Sequence, residues 1–107
     1  MAFQSGSVNL GRGYFGVSTA DWNLLATVGG MRTYTYSISF PTEFSEIPVM
    51  VTMLKSFHIQ QGEDSRIAVG STSVATTGFD LVIQTWHDTS LVGVGVTWMA
   101  YDSNSAL

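Results

Sequence analysis

A chain of 107 residues has room for one hydrophobic core, and at 45% apolar residues it can fill one. With four basic residues against eight acidic ones, net −4, no basic stripe exists to neutralise a nucleic-acid backbone, and the 11% charged fraction lies far below the roughly 25% of an ordinary soluble domain. The absence of cysteine excludes disulfides and thiolate metal sites, and neither a membrane-length apolar run nor a signal-peptide pattern is present. The expectation is a single soluble domain over residues 1–107, cytoplasmic or exported without a classical signal peptide. Part of its uncharged surface should be covered by further copies of the chain.

Period-two alternation dominates the chain. A first short strand is expected near Gln4–Leu10, followed by a glycine loop through Gly11, Gly13 and Gly16. The segment Thr19–Thr27 holds Trp22, Leu24 and Leu25 and offers at most one helical turn. Thr33–Phe40 alternates cleanly, with Tyr34, Tyr36, Ile38 and Phe40 on one face and small hydroxyl residues on the other. Further strands are expected at Val49–Phe57, Arg66–Val74, Phe79–His87 and Leu91–Tyr101, rich in Val, Ile, Thr and aromatic residues and separated by Pro and Gly breakers. Short strands with short links make this an all-β, six-stranded antiparallel β-sandwich. The last two strands carry apolar residues on both faces, so one face should meet a ligand or another subunit.

Pairing Val74 with Phe79 across a loop of residues 75–78 sets Arg66 opposite His87, with Trp86 on the other face unless the strand end twists. A cation, an imidazole, an indole and Asp88 at one sheet end suit a sugar: Arg and His donate to hydroxyls, Asp accepts from them, and an aromatic ring packs on the apolar face of a pyranose. Spacing alone favours the plainer reading, in which Trp86 is a core aromatic and His87 a strand-end residue.

Gln4-Ser5-Gly6, Phe40, Pro48-Val49, Arg66, Thr77-Gly78-Phe79, Thr85-Trp86-His87 followed by Asp88-Thr89, and Trp98 together resemble the H-type lectin domain of snail agglutinins and of the discoidin C-terminal domain. The resemblance runs from about residue 4 to 101 and implies an H-type lectin-like sandwich that assembles as a homotrimer, singly or as a dimer of trimers. It also implies galactose or N-acetylgalactosamine bound between protomers, with Arg66, Trp86 and His87 on one side of the cleft. The neighbouring protomer supplies a loop before the second strand; the family's Asp in that loop falls at Gly29 here, so the acidic contact is absent or comes from Asp21. An aromatic that lines the site in some members is replaced by Val92, and the positions of the snail disulfide are held by Leu10 and Ile83.

Other chemistries find little support. Gly11-Arg12-Gly13-Tyr14-Phe15-Gly16 has the spacing of a dinucleotide loop but lacks the βαβ unit that such a loop opens. His87 has no partner spaced to make it a base for a nucleophile, His58 has no companion ligands, and Glu63-Asp64 read as solvated or as local partners of Arg66, with a sugar contact the alternative. Trp98 reads as core, and Trp22 as loop packing or a protomer contact. The expectation is a non-enzymatic protein without cofactor or metal that binds glycans; the alternative is a structural trimerisation or assembly module without sugar binding.

Overall fold

In the computed structural model, which describes residues 2–25, 30–60 and 64–102, the alternating segments form seven strands. They are β1 (Phe3–Tyr14), β2 (Val17–Ser18), β3 (Met31–Ser39), β4 (Val49–Ile59), β5 (Ala68–Thr72), β6 (Gly78–Trp86) and β7 (Leu91–Tyr101). All pairings are antiparallel, in two sheets ordered β2-β1-β7-β4 and β3-β6-β5, which stack as a sandwich. Among the described residues there is no helix, so the segment around Trp22 is irregular.

The seventh strand corrects the expected six, and its cause lies in the glycine run. Instead of looping away, β1 continues through Gly11 and Gly13 to Tyr14 and reverses at Phe15-Gly16, both with positive φ (49° and 77°), so that Arg12 pairs with Ser18 and Tyr14 with Val17. Two consecutive positive-φ residues make the turn whose twist suits a tight hairpin.

Parity fills the core. Phe79, Leu81, Ile83 and Thr85 of β6 point inward and meet Val94, Val96, Trp98 and Ala100 of β7. Each large apolar side chain sealed there contributes roughly 1.5–3 kcal/mol. Leu10 and Ile83 both lie in this core, where the resemblance implied a disulfide in relatives. Trp98 packs against Phe40 and Phe79 at centroid separations of 5.7 and 5.5 Å. Gly6 passes directly over it: a Cβ there would sit 2.8 Å from the indole, so only glycine lets β1 cross the ring. Trp22 also proves to be loop packing, its Nε1 donating to the Leu91 carbonyl at 2.9 Å.

Two register details matter for the site and the surface. Ser73 adopts φ 53° and leaves the ladder, and the turn closes by the Ala75 amide donating to the Gly78 carbonyl. β5 therefore pairs Ala68 with Gln84 and Thr72 with Asp80, one residue away from the expected register. Continued downwards, that ladder brings Arg66 level with Trp86 and not with His87. On edge strand β4, a register shift between Leu54 and Ser56 leaves Lys55 out of the pairing, a charged bulge of the kind that blunts open edges. The outward face of the four-stranded sheet is apolar all the same. Phe3, Val49 and Tyr101 share one rung, Val51 and Met99 the next but one, with Met53 beyond, and Phe3 and Met53 are 54% and 43% exposed.

Candidate functional site

β6 ends at Trp86 and β7 begins at Leu91, and the four residues between them turn the chain at one end of the sandwich. Trp86 lies on the outward face of β6, directly opposite Met31 of β3. It is 36% exposed, whereas Trp22 and Trp98 are each 5% exposed, so one tryptophan of three offers its ring to solvent. Met31 beside it is also exposed, and the pair forms an apolar ledge.

Arg66 reaches the turn from the segment before β5. Its Nη1 donates to Asp88 Oδ1 at 2.8 Å and to Thr89 Oγ1 at 3.0 Å, and its Nη2 to Asp64 Oδ2 at 3.2 Å. His87 Nδ1 stands 3.9 Å from the same Asp88 oxygen. The guanidinium and the imidazole are thus drawn together through one carboxylate, which repairs the missed register: Arg66 meets His87 by way of Asp88 and not across a ladder rung. The imidazole is largely exposed, and Asp88 is half exposed, so both have capacity left for a ligand.

The turn is anchored below. The Thr85 hydroxyl donates to the Arg66 carbonyl at 2.6 Å, the Thr89 hydroxyl to the Asp64 carbonyl at 2.6 Å and the Ser90 hydroxyl to the Leu25 carbonyl at 2.7 Å. All three hydroxyl residues are buried, and each spends its donor on main chain. The His87 amide donates to the Gly30 carbonyl at 3.2 Å, which brings the end of the loop before β3 against the turn.

The structure therefore gathers Arg66, Trp86 and His87 at one end. Asp21 is elsewhere: it sits in the loop over the β3 edge with φ 60°, beside Tyr34, whose hydroxyl donates to the Ala20 carbonyl at 2.9 Å. Tyr34 is on the core-facing side of β3, opposite to the face that carries Trp86. Burial pushes the Tyr34 phenol above its ordinary pKa, and the negative charge of Asp21 pushes it the same way, with a smaller contribution from Tyr36. Gly29 and Glu63 lie outside the described residues. Asp64 does partner Arg66, as the sequence suggested. Asp88 was expected at this sheet end but not as a bridge, and Arg32 was not singled out from sequence. Asp88 bridges the two basic side chains. Arg32, one residue past Met31, donates to the main-chain carbonyls of His87, at 2.8 Å, and of Thr89. Its signal was available: Arg32 shares the parity of Tyr34, Ile38 and Phe40, so a charge was due on the core side of β3.

The molecule is thus a two-layer antiparallel sandwich that carries an arginine, a histidine and an exposed tryptophan at one loop end. The model of the H-type lectin domain family matches residues 35–101, and the chain belongs to that family. It is similar to the protein described as ATP synthase subunits region ORF 7 of Fuscovulum blasticum, 30% identical over 84 residues, 78% of this chain and 73% of that one. Among solved structures it resembles recombinant discoidin II of Dictyostelium discoideum, with a TM-score of 0.79 and 23% identity over 97% of this chain. The wild-type discoidin II gives a TM-score of 0.78, also at 23% identity. The chain spans only 38% and 37% of those two discoidin chains.

Proposed function

We propose that this chain is a carbohydrate-binding lectin domain that recognises galactose or N-acetylgalactosamine at the Trp86–Thr89 turn. The observation that carries this reading is the convergence of exposed Trp86 with the Arg66–Asp88–His87 group. An indole takes the apolar face of a pyranose, while guanidinium, imidazole and carboxylate provide donors and acceptors for its hydroxyls. A neutral ligand also fits a chain so poor in charge. Family membership supports the carbohydrate-binding class, and none of the roles assigned to these residues is catalytic.

The site is completed in a homotrimer, singly or as a dimer of trimers. Arg66, Trp86 and His87 come from one protomer, and the loop spanning Asp21 and Gly29 comes from its neighbour. Support for assembly is the apolar outward face of the four-stranded sheet, too extended to leave in water on a monomer. Few contacts per site make each sugar weakly held, and several sites presented together raise the avidity.

Calorimetry with galactose and N-acetylgalactosamine, followed by a glycan array, tests the ligand; a folded protein that binds no galactose-type glycan overturns the reading. Sedimentation of Met53→Lys tests the assembly, the expected outcome being a fall in mass from trimer to monomer. The assembly-only alternative draws on the same apolar face. It is favoured if Trp86→Ala leaves agglutination as it was, and excluded if agglutination is lost while the oligomer persists.

A further inference from the structure

Two arginines grip the β6–β7 turn, Arg66 from the solvent side through side chains and Arg32 from the core side through the backbone. Arg32 is 9% exposed, and burying a guanidinium is costly unless its protons find acceptors. Here Nη1 donates to the carbonyl of His87 and Nη2 to that of Thr89, which bracket Asp88. Two residues upstream of Arg32, the Gly30 carbonyl accepts the His87 amide proton. The start of β3 thus holds His87 by both its N–H and its C=O.

That grip has a conformational purpose. His87 adopts φ 63°, a left-handed conformation that a side chain with a Cβ disfavours. The imidazole, largely exposed and 3.9 Å from its acidic neighbour, does not impose it. A planar fork that spans two carbonyls does, and a lysine, with a single point of charge, has no equivalent geometry.

We propose that Arg32 is the positioning residue of the sugar site. Its fork fixes the His87–Thr89 backbone, and with it the direction in which Trp86 and His87 leave the turn and the point at which Asp88 meets Arg66. The effect on sugar rests on the lectin reading; the effect on the turn does not.

Arg32→Lys keeps the charge and loses the fork. In the folded variant, judged by near-ultraviolet circular dichroism, galactose affinity should fall roughly tenfold, the equivalent of one charge-assisted hydrogen bond misdirected. The amide resonances of His87, Asp88 and Thr89 should shift while those of Val51 and Thr72 stay in place. An affinity within about twofold of wild type, or an unmoved turn, overturns the inference. If the wild-type protein binds no galactose-type glycan, the lectin reading fails alone, and the amide shifts still decide the role of Arg32. If the lysine variant does not fold, the wild-type guanidinium resonances decide it: Arg32 should show resolved, slowly exchanging Nη protons, and averaged, fast-exchanging ones would overturn it.

Discussion

Replacing Arg66 by methionine separates what the site contributes to stability from what it does for a ligand. The substitution keeps the aliphatic stem and deletes three hydrogen bonds, to Asp88, Thr89 and Asp64. The two carboxylates are 55% and 86% exposed, so water takes the place of the guanidinium, and pairs of this kind are each worth about 0.2–1 kcal/mol. The Thr89 hydroxyl keeps its bond to the Asp64 carbonyl, so its own proton is not orphaned. The expected loss is therefore about 1 kcal/mol, a fall in Tm of roughly 4–8 °C for a domain of this size. Sugar binding should suffer more. Deleting a charged donor to a hydroxyl costs about 1.5–3 kcal/mol, or roughly 10–150-fold in affinity. Calorimetric unfolding and galactose titration on the same preparation give both numbers. A variant that melts as expected yet binds galactose with unchanged affinity would refute the assignment of Arg66 to the ligand. One that fails to fold would refute the treatment of its ion pairs as exposed and weak.

Other outcomes follow from particular contacts. Thr85→Val conserves shape and removes the donor to the Arg66 carbonyl, a partly buried bond of 2.6 Å; urea unfolding should show a loss of about 1–3 kcal/mol, and no loss would mean that the carbonyl finds water. Tyr34 titrates above its ordinary value of 10.0, so the folded state holds the phenol proton more tightly than the unfolded chain does. The corresponding stability is fully present below pH 10 and drains away as pH rises through the folded-state value. Tyr34→Phe should flatten that alkaline decline in unfolding measured across pH 9–12; identical slopes in both proteins would remove Tyr34 as its source.

Most of the strand pattern was legible because burial follows parity: Tyr34 and Ile38 turned inward on β3 with buried Phe40 just past its end, and Phe79, Leu81 and Ile83 on β6, though Tyr36 of the same parity stays exposed. Two local choices escaped it. Alternation does not reveal that Ser73 backs out of the ladder in a left-handed conformation, and that single residue moved Arg66 from the level of His87 to that of Trp86. Glycines are read as breakers, yet Gly11 carries β1 onward because the β7 backbone runs so close beside it that a Cβ would strike the Val92 carbonyl, and Gly13 follows in open space with φ 68°. At the site, residue types were readable and their wiring was not. Asp88 joins Arg66 to His87 through side-chain geometry that no spacing rule contains, and Arg32 acts through carbonyls that carry no residue signature.

The buried anchors of the turn direct their hydrogen bonds at main chain: Arg32 to the carbonyls of His87 and Thr89, Thr89 to that of Asp64, Ser90 to that of Leu25. A peptide carbonyl is the same whichever side chain its residue bears. Positions 64, 86, 87 and 88 can therefore change identity without dismantling the loop that presents them. In the proposed lectin, ligand preference is free to drift by substitution at these solvent-facing positions, while the framework that aims them remains under the constraints of the core.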